Sequence, residues 1–455
     1  LLWWPLPGLW ANKMHTPIAD FVRAYASSDT LRLHMPGHKG AEFLGLEKLD
    51  ITEIRGADSL YEAEGIIARS ERNASILFGC PTYYSTEGSS QCIRAMLHLA
   101  AQSARQQGRK PHVAAARNVH KTFLSAVALL DPEVTWLYPK HQNSYLSCVI
   151  TASELDALFR AAENPPTAVY VTSPDYLGNV ADIGALAQVC HTYGALLLVD
   201  NAHGAYLRFL PESGHPMDLG ADLCCDSAHK TLPVLTGGAY LHTSDAFSPW
   251  QVKNALGLFG STSPSYLILQ SLDLANGYLS DHRSRLAAFL PLVHKLKEDL
   301  TAHGYCLAGL EPMKITISAK AFGYTGYQLA EILRLADIEC EFADPDYLVL
   351  MVSPEITQTG LERLKNALCS IERKPAVTQL PPVFVPGLGS LGIRDAMLLP
   401  GRRIPVEESE GCILAAASVG CPPAVPILVC GEIIDRHAIE CFQYYGIQSV
   451  MVTAP

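Results

Sequence analysis

No stretch of this 455-residue sequence reaches the ~18 to 20 consecutive apolar residues of a membrane-spanning helix, so no membrane partner is expected. Charge is scarce as well. Charged residues make up 17%, and 34 basic against 45 acidic residues leave a net charge of -11. Nucleic-acid binding needs basic residues concentrated on one face to displace counterions; here they are scattered, and a small-molecule ligand fits better. No two cysteines stand at the two-residue spacing of zinc ribbons and redox motifs, so the 13 cysteines read as small buried hydrophobes of a cytoplasmic protein. The opening LLWWPLPGLWANK has two prolines and no basic n-region, unlike a secretion signal; it is set aside from the fold argument, with Met14 as a natural start. Internal repeats and low-complexity tracts are missing too.

What is present is a large apolar fraction, 49%, in a chain too long for one core. Between about residues 60 and 245 helical and extended patterns alternate. The stretches 61–79 and 89–108 have helical apolar spacing and end in glycine, and Thr151 with Glu154 forms a capping box. HVAAA, VTWLYP, TAVYVTSP, ALLLVDNAH, ADLCCDSAH and GGAYLHT read as short strands. Apolar strands joined by helices of about a dozen residues imply an α/β fold with a mostly parallel sheet covered on both faces. The expected organisation is an N-terminal arm over 1–40, a large domain over 41–280, a smaller α+β domain over 281–375, and a C-terminal segment over 376–455 that follows the proline-rich KPAVTQLPPVFVPGLG. Residues 264–304 predict one long helix or a kinked pair.

Ligands of such sheets bind at the carboxyl ends of the strands, and two ionisable residues fall there. Asp200 ends LLLVD, and Lys230 follows LCCD and a Ser-Ala-His turn. A buried carboxylate or ammonium is costly unless matched, so each is either a solvated cap or a chemical tool. A partly desolvated lysine can attack a carbonyl to form a Schiff base, and Ser227 and His229 beside it can bind an anion. Gly88, Ser89 and Ser90 open a helix whose free N–H groups and dipole favour a phosphate, although serine at a helix start is often only a cap. His120, just past HVAAA, is placed to lie over a flat ring. A carbonyl, a phosphate, a flat ring and a basic ring nitrogen occur together in pyridoxal 5'-phosphate.

LRLHMPGHKG (31–40), STEGSSQ (85–91), RNVHKTF (117–123), VDNAHGAY (199–206), DSAHKTLPVLTGGAYLH (226–242) and STSPSYLILQSLD (261–273) resemble the fold-type-I Orn/Lys/Arg decarboxylase family in its short form. The resemblance implies a pyridoxal-phosphate-dependent, transferase-like large domain and a homodimer or larger assembly with shared active sites. It implies that Lys230 holds the cofactor aldehyde, Asp200 pairs with the pyridine nitrogen and His120 stacks on the ring. Gly88, Ser89, Ser90, Ser227 and His229 would take the phosphate, His203 would lie near the phenolic oxygen, and Thr262 would reach the neighbouring subunit's cofactor. Two positions depart from the family's DEAHGAH pattern, Asn201 and Tyr206, and Cys430 stands where the family's PPGIPLLVPGE has proline. Glu432 in that block is the candidate contact to a cationic substrate side chain, or else an ordinary salt bridge.

The implied reaction is α-decarboxylation of lysine, arginine or ornithine, with Lys230 or His229 returning the proton to the α-carbon. An aminotransferase or an aldolase on the same fold would share these cofactor residues, and a catalytically silent homologue is a further alternative. Ser227 and Lys230 also fit the S-x-x-K pattern of acyl-enzyme hydrolases, but the accompanying Ser-Asp-Asn and Lys-Thr-Gly are absent. No metal is expected: Pro36 and Gly37 break the helix that would align His34 with His38.

Overall fold

A computed structural model describes residues 14–138, 145, 148–416, 419–421 and 425–454. Seven strands, β1 (Thr82–Ser85), β2 (His112–Ala116), β3 (Glu133–Leu137), β4 (Ala168–Thr172), β5 (Leu196–Asp200), β6 (Leu223–Asp226) and β7 (Ala239–Thr243), form one sheet in the order β1-β7-β6-β5-β4-β2-β3. β2, β3, β4 and β5 pair in parallel, whereas β7 runs antiparallel to β6 and β1. Of the inner strands, β2, β6 and β7 are buried along their whole length and β4 and β5 at all but one end residue, which is why they read as unbroken apolar runs rather than as an alternation. β1 was not legible as a strand: TYYS is only four residues long and leads directly into a helix.

The chain groups into two compact units, one made of residues up to Leu99 with Gly204–Ala287, the other of Ala100–His203 with Ala288 onward. In the first, α1 (Pro17–Ala26) and α2 (Ile66–Phe78) bury Ile18, Val22, Ile67 and Phe78. Helix α2 starts five residues later than its apolar spacing predicts, at the Gly65 cap. The long helix α3 (Gly88–Gln106) begins in this unit. In the second unit, α4 (Lys121–Leu130) is capped by His120, α5 (Ala152–Ala161) by the predicted Thr151–Glu154 box, and α6 (Ile183–Thr192) by Asp182.

After β6 comes the single turn α7 (Ala228–Thr231). The predicted long helix is two helices in sequence, α8 (Tyr266–Leu279) and α9 (His282–His303). The expected small α+β unit is a four-stranded antiparallel sheet of β8 (Cys306–Ala308), β9 (Lys314–Ser318), β10 (Phe342–Ala343) and β11 (Tyr347–Met351), ordered β10-β11-β9-β8. The C-terminal segment has an apolar cluster of its own, in which Ile404, Leu414, Ile434, Phe442 and Val450 pack with Phe342 and Val349. Among the described residues no helix is long and apolar enough to cross a membrane.

Candidate active site

In the first unit the residues expected to bind phosphate meet. Gly88 adopts φ +72°, a conformation that side chains disfavour, and its N–H donates to the Gly237 carbonyl at 2.7 Å. Gly237 has no room for a side chain: a Cβ there would lie 2.9 Å from the Thr86 carbonyl oxygen. This close approach packs the TGG loop against the start of α3. The Ser227 hydroxyl, at the end of β6, then donates to the Ser89 hydroxyl at 2.8 Å. Two hydroxyls thus meet at the start of a 19-residue helix, the end whose dipole favours negative charge. Ser90 is half-buried in the same first turn.

Lys230 lies in α7 and is exposed in the single chain; its N–H donates to the Ser227 carbonyl at 3.0 Å. His229 donates from Nδ1 to the Gly238 carbonyl at 3.0 Å, which leaves the lone pair of the neutral ring on Nε2. Thr262 sits in an exposed turn tied back to α3, where the Ser261 N–H donates to the Glu87 carboxylate.

The second unit carries the residues expected to meet the ring. His120 caps α4, its Nδ1 accepting the Thr122 N–H at 3.2 Å, and this fixes the plane of the imidazole. Asp200, 2% exposed, accepts the Tyr170 hydroxyl at 3.0 Å and the Ala202 N–H at 3.2 Å. Both contacts orient the carboxylate at the tip of β5. His203, also buried, has the Tyr176 ring edge-on, 5.2 Å between centroids. Asn201 is fully buried.

Two residues near His203 escaped the sequence reading. The Tyr176 hydroxyl donates to the Glu341 carboxylate at 2.8 Å, and burial, reinforced by Glu341, pushes the Tyr176 phenol well above its ordinary pKa, so it stays a donor. Glu341 is exposed. The two are 165 residues apart, and only the fold joins them. Glu432, by contrast, is buried against Arg117, with Nη2 and Oε2 2.7 Å apart.

Behind the residues expected to bind phosphate lies a buried acid. Asp226 receives His215 Nε2 at 3.1 Å and His242 Nε2 at 3.0 Å on one oxygen. Burial alone would raise its pKa, but the two imidazoles outweigh it and hold the carboxyl well below the usual range. Cys224, His215 and Asp226 bring potential ligand atoms within 4.8 Å of one another. His215 Nδ1 accepts the Met217 N–H, however, so the ring proton sits on Nε2 and is given to Asp226.

A glycine-lined helix start, a strand-tip acid and a lysine after the next strand define the class: the architecture is that of fold-type-I pyridoxal-phosphate enzymes. Residues 16–304 match the family model for the Orn/Lys/Arg decarboxylase major domain, and the chain belongs to that family. It is 30% identical to an arginine decarboxylase of Bacillus subtilis over 94% of this chain and 93% of that one. Among solved structures it resembles the lysine decarboxylase of Francisella novicida, with TM-score 0.80 and 16% identity over 96% of this chain and 81% of that one. It is also similar to the constitutive lysine decarboxylase of E. coli, with TM-score 0.77 and 17% identity over 97% and 82%.

Proposed function

We propose that this chain is a pyridoxal-phosphate-dependent decarboxylase of a basic L-amino acid, with arginine, lysine and ornithine as the candidates. The observation that carries the reading is the pairing of full-length family likeness with the DSAHK turn, in which Ser227 meets Ser89. The residues fit the cofactor: the hydroxyl pair at the start of α3 suits a phosphate, Asp200 a protonated ring nitrogen, and His120 a flat ring. When bound, pyridoxal phosphate supplies an electron sink for the pair left on the α-carbon as carbon dioxide departs.

The chain's own residues do the rest. Lys230 Nζ would hold the group through its aldehyde and would be free to act on the α-carbon once substrate is bound. Asp200 would meet the ring nitrogen, where a fixed carboxylate in a buried site acts strongly. Ser89, Ser90 and Ser227 anchor the phosphate, with Gly88 giving close backbone approach. His229 Nε2 or Lys230 Nζ returns the proton to the α-carbon. Glu341, one tyrosine away from His203, meets the cationic end of the substrate. The exposed apolar side chains of Leu31, Leu33, Phe43 and Leu44 support burial against a second copy, in a homodimer whose Thr262 turn reaches the partner's site. A cytoplasmic setting suits the described cysteines, all free thiols.

One assay tests the reading. Purified protein with added pyridoxal phosphate is given a panel of amino acids, and amines and carbon dioxide are measured. Release of both from a basic amino acid is expected, with KM raised roughly tenfold in Glu341→Gln. Keto acid without carbon dioxide, or no turnover across the panel, would overturn it.

A further inference from the structure

The Arg117–Glu432 ion pair joins parts of the chain 315 residues apart, and both side chains are almost wholly buried, at 0% and 6% exposure. Burying two charges costs several kcal/mol per ion before their attraction returns any of it, and well-packed apolar residues of similar volume often stabilise as well. Arg117 is poorly compensated: among the described residues Nε and Nη1 are buried without a hydrogen-bond partner. Its guanidinium also lies over the Trp136 ring, with Cζ 4.9 Å from the centroid. Stability is therefore a weak reason for this pair. Geometry is a stronger one.

Arg117 directly follows β2 and stands three residues before His120. Every link between them is held: the Arg117 N–H donates to Cys148 Sγ, the Asn118 carbonyl accepts the Thr172 hydroxyl at 3.2 Å, Val119 is fully buried, and His120 is fixed as a helix cap. Glu432 is equally enclosed. Its Oε2 accepts the Val429 N–H at 2.8 Å as well as Arg117, and a Cβ on Gly387 would lie 2.4 Å from the same oxygen. A carboxylate so enclosed, with its charge already matched, is poorly placed to receive a second cation.

We infer that Arg117 and Glu432 are a positioning pair: the C-terminal segment acts through Glu432 on Arg117 to set the loop that aims His120 at the cofactor ring. The pair does not touch substrate. The inference rests on the proposed role of His120 and places Glu432 outside substrate recognition.

The test compares wild type, Glu432→Gln, Arg117→Lys and the apolar double variant Arg117→Met/Glu432→Leu. Pyridoxal-phosphate affinity is titrated by absorbance without any amino acid, and thermal midpoint, KM and kcat are measured beside it. A misaimed ring contact should weaken cofactor affinity roughly ten- to a hundredfold in the single variants. KM for arginine and the preference among basic amino acids should stay within about twofold. The double variant should recover the thermal midpoint but not the affinity. Overturning results are a rise in KM for basic substrates at unchanged cofactor affinity, which would make Glu432 a substrate contact, or recovery of both properties in the double variant, which would make the pair merely structural. If Glu432→Gln does not fold, Arg117→Lys carries the same readings. Because affinity is read without turnover, wild type that binds cofactor but decarboxylates nothing would count against the proposed reaction and not against the pair.

Discussion

Asp200 and Asp226 look alike in the sequence. Each ends a short apolar strand, each is buried, at 2% and 0% exposure, and each is followed within four residues by a histidine. Their surroundings differ. Asp226 is held by two imidazoles, so its charge is used inside the protein. Asp200 accepts a phenol O–H and a backbone N–H, and in the proposed function it faces a ligand's ring nitrogen instead. A strand-tip acid can thus serve as a chemical tool or as a structural tie, and its surroundings in the fold, not its place in the sequence, decide which.

Exchanging each for its neutral isostere should separate the roles. Asp200→Asn is expected to fold and bind cofactor while kcat falls about 10²- to 10³-fold, measured as carbon dioxide release. Asp226→Asn should do the reverse. The amide oxygen can still accept both imidazoles, but the negative charge between them is gone and an NH2 group is left in the core, which should cost about 1 to 3 kcal/mol of stability, read as a lower denaturation midpoint, with activity per folded molecule kept. Equal losses of kcat in both would erase the distinction.

Glu311 supplies a third buried acid for the comparison. There burial prevails over nearby Lys314 and two backbone donors and pushes the carboxyl up to about 7. An acid raised in the folded state contributes stability in full below its unfolded pKa, near 4.5, and loses it as pH rises to about 7. Glu311→Gln stays neutral, so it should be more stable than wild type at pH 8, by on the order of 3 kcal/mol at most, read as a higher melting temperature, and the gap should close at pH 4.5. A gap independent of pH would show that the carboxyl does not titrate in that window.

Much of this was legible because it is local. The alternation of helix and strand, the Thr151–Glu154 cap and the Ser-Ala-His-Lys turn all follow from neighbours in the chain. The glycine and serines that open α3 were legible too, since these residues at a helix start carry their own geometry. Contacts made by register were not. His215 and His242 reach Asp226 from 11 and 16 residues away, and the second depends on the pairing of β6 with β7. Tyr176 with Glu341 and Arg117 with Glu432 span 165 and 315 residues, and no spacing rule joins them. Glu432 shows the cost: an acid in a family block reads equally as a substrate contact or a salt bridge, and only the fold brings the buried Arg117 to it.

The covalent role of Lys230 is the claim on which the rest depends. Borohydride reduction of the cofactor-loaded protein, followed by peptide mass spectrometry, tests it directly. The account predicts a pyridoxyl group on the peptide containing Lys230 and none in Lys230→Ala, which should also release no carbon dioxide. A reduced adduct on another lysine, or full decarboxylase activity in Lys230→Ala, would contradict it.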